Sequence, residues 1–379
     1  MKTDFETDSE LVQTINTSLA NAAKQYLVLK ESLPAGRFPK TYDPKTNSLQ
    51  TSDSEWWCSG FYPGTLFYLY ENTQDQVLFD EATRMLGLLE KEQFNKTTHD
   101  LGFMMFCSFG HANRLNPKPE YKDILVNSAK SLSSRFDPKV GLIKSWDSKK
   151  PEYLVIIDNM MNLELLFWAS RETKDPSFRQ IALTHADNTI KNHFRPDNSS
   201  YHVVIYNPET GAVQQKRTAQ GYADESAWAR GQAWGLYGYT VMYRETKDTK
   251  YLEQAKKIAA FMLQHPNMPA DKIPYWDFNA PNIPNALRDA SAAAITASAL
   301  LELSGYVDKA TGEQYFRDAE TMIRTLASPE YTAQTGTNGG FILKHGVGHL
   351  PAKSEVDVPL TYGDYYLVEA MHRYKQMAR

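Results

Sequence analysis

Two aspartates in strongly apolar surroundings have the chemistry needed to move a proton. Asp158 lies near the front of the most apolar run of the chain, residues 155–168, and Asp100 stands just before a second apolar run, residues 101–106. An ionised carboxylate is costly to bury, so burial raises its pKa toward the range in which a side chain can both give and accept a proton. The sequence therefore predicts acid–base chemistry at Asp158, with Asp100 as its candidate partner.

A cluster at residues 220–235 combines an arginine with tryptophans. Trp228 and Trp234 flank Arg230 at the start of an otherwise apolar helix. A buried guanidinium must be paired, either with a structural acid or with the carboxylate of a ligand, and the sequence leaves both open. Trp56 and Trp57, earlier in the chain, are either core residues or platforms for a sugar, and a core position is favoured for Trp56.

Helical periodicity dominates the chain and repeats. Six helices that are apolar on most sides are predicted to begin near residues 60, 101, 158, 229, 289 and 363. Six amphipathic helices alternate with them, near residues 8–29, 77–93, 119–135, 176–193, 249–264 and 313–327. This alternation predicts two concentric rings, an all-α (α/α)6 barrel that forms a single domain over residues 1–379. Strand signals are weak, apart from short runs such as 202–206.

The connections that lead into the apolar helices are long, roughly 20 residues, and they gather at one end of the predicted barrel. Five of the six apolar helices carry an aspartate at or near their start: Asp100, Asp158, Asp224, Asp289 and Asp364. Each of them is either a helix cap, worth about 1 kcal/mol, or part of a ring of carboxylates around one cavity. Crowded carboxylates raise each other's pKa and can hold a proton near neutral pH.

Composition excludes several other classes of function. The net charge is −4 and no block of like charge stands out, which argues against nucleic acid and anionic membranes as partners. No apolar run reaches the length of a membrane span, and residues 1–6 do not resemble a signal peptide. Cys58 and Cys107 form neither a disulfide framework nor a metal motif, and are predicted to be buried thiols. No metal or cofactor is predicted.

Several of these segments resemble the unsaturated glucuronyl hydrolases of glycoside hydrolase family 88. The resemblance runs from Trp57 to Tyr366 and is carried by residues 99–103, 156–162, 200–202, 227–235, 275–278, 288–292 and 363–366. The fold of that family is an (α/α)6 barrel, in agreement with the helix count. The resemblance implies a bacterial protein of the cytoplasm or periplasm, and we expect a monomer or weak homodimer.

The resemblance also implies a reaction. These enzymes remove the 4,5-unsaturated uronic acid that polysaccharide lyases leave at a non-reducing end, by hydrating the C4–C5 vinyl ether. Asp158 would protonate C4 and then take a proton from the water that attacks C5, while Asp100 would tune and orient it. The implied substrate-binding positions are Trp57, His202, Gln220, Trp228, Arg230 and Trp234, with Arg230 on the uronate carboxylate.

One departure affects the choice of substrate. The family often has a histidine before the glutamine at 220, where this chain has Ala219. Lys353 and Ser354 are candidate contacts for a sulfate, or else belong to a solvated loop. We expect glycosaminoglycan fragments as substrates. The alternatives are an unsaturated rhamnogalacturonyl hydrolase acting on pectin fragments, a helical-repeat binding module and an ordinary two-carboxylate glycosidase.

Overall fold

Twelve α-helices form two concentric rings in the computed structural model, which describes residues 5–148, 150 and 152–378. The outer helices are α1 (Ser9–Ser32), α3 (Gln76–Leu89), α5 (Pro119–Ser133), α7 (Pro176–His193), α9 (Thr249–Gln264) and α11 (Lys309–Leu326). Four inner helices are α2 (Phe61–Thr73), α8 (Ala229–Thr246), α10 (Ala290–Leu303) and α12 (Thr361–Met377). The other two are composite: a π-helix, Gly102–Gly110, continues into α4 (His111–Leu115), and a 3₁₀-helix, Ile157–Asn162, continues into α6 (Leu163–Thr173).

The ring of inner helices is closed, because α12 packs against both α10 and α2. Inner and outer helices differ in burial as the sequence predicts: α10 is buried along its whole length, whereas α9 buries a single stripe from Tyr251 to Met262. The predicted all-α (α/α)6 barrel is confirmed. The sequence analysis predicts no signal peptide at residues 1–6, and residues 1–4 of that segment lie outside the described residues. No described helix is long and apolar enough to cross a lipid bilayer.

A recurring turn explains the sequence repeat between inner and outer helices. Gln74, Lys174 and Lys247 occupy the same position and take left-handed φ angles of 59°, 61° and 58°. Each is followed by an aspartate whose carboxylate caps the next outer helix: Asp75, Asp175 and Asp248. These aspartates satisfy backbone N–H groups that the first turn of a helix leaves unpaired.

Four small sheets occupy the long connections at the other end of the barrel. Two-stranded sheets pair β1 (Phe38–Asp43) with β2 (Ser48–Ser52), β3 (Phe136–Asp137) with β4 (Leu142–Ile143), and β8 (Gly346–His349) with β9 (Ser354–Val358). A three-stranded sheet has the order β5 (Tyr153–Ile156), β6 (Val203–Tyr206), β7 (Val213–Arg217). Only β6 was expected from the sequence, because these strands are short and find partners far away in the chain.

Four buried aromatic rings, here called the aromatic layer, cross the axis of the barrel. They are Phe61, Phe103, Trp234 and Tyr366, and neighbouring ring centroids lie 5.0 to 5.9 Å apart. Each ring is at most 2% exposed. Since these residues come from the first two turns of four inner helices, the layer divides the inside of the barrel into an upper space beneath the small sheets and a lower space.

Candidate active site

Asp158 is a buried carboxyl with a free oxygen. It follows β5, lies in the 3₁₀-helix Ile157–Asn162, and is 9% exposed. Its Oδ2 has no hydrogen-bond partner among the described residues, and its side chain does not cap the helix. Burial, the largest cause, raises the pKa of Asp158 to about 7; Asp100 adds to the rise, while His99 and Arg230 oppose it. This carboxyl is therefore poised to exchange a proton near neutral pH.

His202 faces Asp158 because of the register between two strands. Ile156 at the end of β5 pairs with Val203 at the start of β6, and this pairing brings His202 Nε2 within 3.7 Å of Asp158 Oδ2. The Nδ1 atom of His202 accepts hydrogen bonds from the backbone N–H groups of Ala219 and Gln220, at 3.1 and 3.2 Å. The proton of the ring is consequently on Nε2. Burial lowers the pKa of His202 to about 3, so the ring is neutral and offers an N–H.

Asp100 stands at the entrance to the π-helix and is held on two sides. Its carboxylate accepts a hydrogen bond from Thr98 Oγ1 at 2.8 Å and lies 3.0 Å from His99 Nε2. Its side chain is 15% exposed, so Asp100 is the more open of the two acids. Because its charge contributes to the raised pKa of Asp158, Asp100 lies close enough to tune that group.

Arg230 is 1% exposed and is paired with a structural acid, Asp289, at 3.0 Å. It also donates to the carbonyl oxygens of Val347 at 2.6 Å and Gly348 at 2.7 Å. These contacts tie the β8–β9 hairpin to the mouth of the barrel. They use three of the five N–H groups of the guanidinium, which leaves two without a partner in the described part of the chain.

Aromatic and amide side chains complete the upper space. Trp228 is 2% exposed and lies between the His202 ring, at 4.4 Å, and the Arg230 guanidinium, at 4.6 Å. Trp57 is half-buried, with its ring 4.8 Å from that of Tyr362. Gln220 donates from Nε2 to Gly348 O at 3.1 Å. The structure thus brings these predicted residues together around Asp158.

Of the two alternatives for the five aspartates, caps or a ring of carboxylates, the structure does not form the ring. Asp224 is exposed and accepts from the Thr218 N–H, while Asp289 caps α10 and pairs with Arg230. Asp364 is buried, but its carboxylate accepts hydrogen bonds from Ile342 N, Leu343 N and Tyr26 Oη. The capping and structural alternative therefore holds for these three, and only Asp100 and Asp158 interact in the upper space.

Trp234 and Trp56 lie elsewhere than expected, whereas Lys353 and Ser354 are exposed, as either alternative for them requires. Trp234 belongs to the aromatic layer, and none of its surface is exposed, so it packs beneath the upper space. Trp56 is 42% exposed with Lys40 over its ring, so the core position favoured for it is wrong. Lys353 and Ser354 are exposed in the β8–β9 hairpin, beside a cleft of about 590 Å³ that this hairpin shares with β1 and β2.

Two residues that contact this region could not be identified from the sequence. Glu355 in β9 packs over Gly348, whose carbonyl accepts from Arg230. Burial raises the pKa of the Glu355 carboxyl, and Lys40 and Arg230 oppose that rise. Tyr362 lies with its ring 5.1 Å from the Arg230 guanidinium. Both residues stand in ordinary sequence contexts: the folded hairpin brings Glu355 to Arg230, and the packing of α12 in the inner ring brings Tyr362 there.

Comparisons with known proteins agree with this architecture. The model of Glycosyl Hydrolase Family 88 matches residues 33–366. An unsaturated glucuronyl hydrolase of Formosa agariphila is 43% identical, over 93% of this chain and 90% of the relative. An unsaturated chondroitin disaccharide hydrolase of Streptococcus pneumoniae is 32% identical, over 97% and 92%. A crystal structure of an unsaturated glucuronyl hydrolase specific for heparin superposes with a TM-score of 0.93 at 48% identity, over 96% of this chain and 98% of the other.

A closed (α/α)6 barrel with a buried carboxyl of raised pKa at its mouth, together with these matches, identifies a glycoside hydrolase. The chain belongs to glycosyl hydrolase family 88. The predicted family, fold and enzyme class are confirmed, and the binding-module alternative is thereby excluded.

Proposed function

We propose that this protein removes the 4,5-unsaturated uronic acid from the non-reducing end of glycosaminoglycan oligosaccharides, with Asp158 as the acid and then the base. The observation that carries this proposal is the Asp158 carboxyl itself, buried, with a free oxygen, and with a pKa of about 7. A single group that alternates between acid and base needs a pKa near the working pH.

The reaction needs only one such group. The neutral carboxyl of Asp158 gives its proton to C4, and the π electrons of the C4–C5 bond form the new C–H bond. Positive charge then develops at C5 and is shared with the ring oxygen. A water molecule adds to C5 while the Asp158 carboxylate takes its proton. The hemiketal that results opens and releases the rest of the oligosaccharide, without direct displacement of the glycosidic bond.

The surrounding groups have separate tasks in this scheme. The Nε2–H of neutral His202 lies 3.7 Å from Asp158 Oδ2, where it can donate to substrate or to the attacking water. Asp100 favours the protonated form of Asp158. The two unused N–H groups of Arg230 bind the uronate carboxylate, with Gln220 beside it, and Trp57 and Trp228 form the walls.

The substrate class rests on the relatives. Their names refer to glucuronyl and chondroitin substrates, and to heparin in the solved structure, which favours glycosaminoglycan fragments over pectin fragments. Lys353 and Ser354 are exposed beside the mouth, so they are free to contact a sulfate on the second sugar. We also propose that residues 1–379 work as one catalytic domain, since one hydrophobic core runs from Leu11 to Tyr374.

A panel of lyase-generated unsaturated disaccharides tests the proposal. We expect loss of the ultraviolet absorbance of the double bond with heparin-type and chondroitin-type disaccharides, and at most slow loss with a pectin-derived one. Lys353→Ala should raise KM for sulfated members and leave the unsulfated ones unchanged. Turnover of a saturated glucuronide, or of the pectin disaccharide alone, would contradict the proposal.

A further inference from the structure

A second internal cavity lies on the far side of the aromatic layer from Asp158. Its volume is about 410 Å³, within the range of small-molecule sites. It is lined by residues of every inner helix except the fifth, α10, including Phe106, Asn113, Glu164, Trp168 and Arg373. These residues lie further along their helices than the aromatic layer does, toward the end with the short turns.

The wall of this cavity is locally irregular. Residues 102–110 form a π-helix, and Gly102, Phe106, Cys107 and Gly110 of that helix line the cavity. A π-helix is a rare form of helix that is frequently found at functional sites. Whereas the cavity-lining residues of α8 and most of those of α12 are buried, Phe106, Asn113, Glu164 and Trp168 keep part of their surface accessible. The accessible part faces this cavity.

Most of the polar lining is already satisfied. The Glu369 carboxylate accepts from Tyr237 Oη at 2.7 Å, Ser298 Oγ at 2.6 Å and Tyr68 Oη at 3.0 Å. Arg373 donates to Glu302 at 3.0 Å and to the Tyr237 hydroxyl at 2.8 Å. These groups therefore make a fixed wall.

Three polar groups remain without partners and are available to a ligand. Asn113 Oδ1 is buried and has no hydrogen-bond partner within the described ranges. Glu164 pairs with Arg244 through Oε1, and its other oxygen has no partner in the part of the chain that the structure describes. The indole N–H of Trp168 likewise has no hydrogen-bond partner among residues 5–148, 150 and 152–378. These three unpaired groups thus comprise two hydrogen-bond acceptors, on Asn113 and Glu164, and one donor, on Trp168.

This combination fits a polyhydroxylated ligand. A sugar hydroxyl both donates and accepts, so one sugar ring can serve the amide, the carboxylate oxygen and the indole N–H together. Phe106 and Trp168, with ring centroids 6.3 Å apart, offer apolar faces to its C–H groups. The lining carries two acids, Glu164 and Glu369, and two arginines, Arg114 and Arg373, so it does not select a charged ligand.

We propose that this cavity below the aromatic layer is a binding site for a neutral monosaccharide, separate from the catalytic site. The aromatic layer lies between the two, so a sugar bound below does not reach Asp158. A site of this kind would respond to free sugar released by carbohydrate breakdown, and occupancy would stabilise the inner helices that also carry the catalytic residues.

Calorimetric titration of the full-length protein tests this site. The probes are N-acetylglucosamine, N-acetylgalactosamine and glucose, with choline as a cation arm, each added to the Asp158→Asn variant so that turnover does not contribute. We expect at least one sugar to bind with a Kd on the order of millimolar and choline not to bind. Absence of heat with all three sugars, or binding of choline alone, would overturn the proposal.

Variants locate the binding. Asn113→Leu should weaken sugar binding at least tenfold and leave turnover of the unsaturated disaccharide within twofold of wild type. Asn127→Leu is the matched control on outer helix α5, where Asn127 bonds to Gln93, and it should leave sugar binding unchanged. Glu164→Gln, which keeps the shape of the side chain, should also weaken binding and serves if Asn113→Leu does not fold. Equal sugar binding by the folded Asn113 or Glu164 variant and wild type would contradict the site, whatever the outcome for the catalytic proposal.

Discussion

Replacement of Asp158 by asparagine is expected to lower kcat by about 10³-fold or more while the fold persists. Asparagine has the shape of the carboxyl but neither gives nor takes a proton, and general acid–base catalysis contributes about 10²–10⁴-fold. Loss of the ultraviolet absorbance of an unsaturated disaccharide measures the rate, and circular dichroism checks the fold. A variant that retains more than about a tenth of the wild-type rate would exclude Asp158 as the proton donor.

The same substitution should change the response of stability to pH. The pKa of Asp158 is raised in the folded state from an ordinary value of 3.8 to about 7, so the folded protein loses stability as pH rises from about 4 to about 7. That shift corresponds to roughly 4 kcal/mol at most. Asp158→Asn removes this loss, so the variant should be more stable than wild type at pH 8 and nearly equal to it at pH 4.

The wild-type rate should decline above about pH 7 as the acid form of Asp158 is lost.

Asp364→Asn is the matched control for this experiment. Burial raises the pKa of Asp364 to about 7 as well, but its carboxylate accepts hydrogen bonds from Ile342 N at 2.9 Å, Leu343 N at 2.8 Å and Tyr26 Oη at 3.1 Å. An asparagine amide keeps one acceptor oxygen, but its NH2 group would face the backbone N–H of either Ile342 or Leu343. We expect Asp364→Asn to be destabilised and to keep its activity per folded molecule, the reverse of Asp158→Asn.

Replacement of Asp289 by alanine is expected to cost about 3–5 kcal/mol of the free energy of unfolding, because it leaves the buried Arg230 guanidinium without its counter-charge. It also removes the acceptor for the Val347 N–H, at 3.3 Å, and so loosens the β8–β9 hairpin at the mouth. Urea unfolding measures the cost. KM should rise as well, since Arg230 loses its fixed position.

Asp271→Ala provides the comparison for Asp289. Asp271 pairs with Arg288 at 3.0 Å, but the two side chains are 38% and 26% exposed. Pairs of this kind contribute about 1 kcal/mol or less. If Asp289→Ala cost no more than Asp271→Ala, the Arg230–Asp289 pair would not be what fixes the hairpin.

The barrel could be predicted from sequence because its signals are local and repeated. Apolar and amphipathic helices alternate, and the turn that precedes Asp75, Asp175 and Asp248 recurs almost unchanged. Asp158 could be found for a similar reason, since its apolar flanks distinguish it from a cap. Asp364 has comparable flanks, and only the backbone N–H groups of a distant loop, at Ile342 and Leu343, make it structural.

Other parts of the site depend on contacts that no local pattern encodes. Arg230 finds two of its three acceptors in a hairpin more than a hundred residues away, at Val347 and Gly348. Trp228 and Trp234 look equivalent in sequence, yet Trp228 precedes α8 and reaches the upper space, whereas Trp234 lies a turn further along and points into the aromatic layer. A helix start near 229 was predicted, but the direction of each ring was not.

The pairing of β5 with β6 has a consequence for how the enzyme matures. Each inner helix is joined to the outer helix that follows it by a short turn, so such a pair can associate early. By contrast, β5 and β6 lie on either side of α6 and α7 and must close a long loop. Refolding should therefore restore helical circular dichroism before activity. Until the two strands join, Asp158 is an ordinary solvated acid, ionised at neutral pH. If Asp158 is the proton donor, we expect its proton-donating ability to be acquired only when β5 and β6 pair, so that activity returns last on refolding.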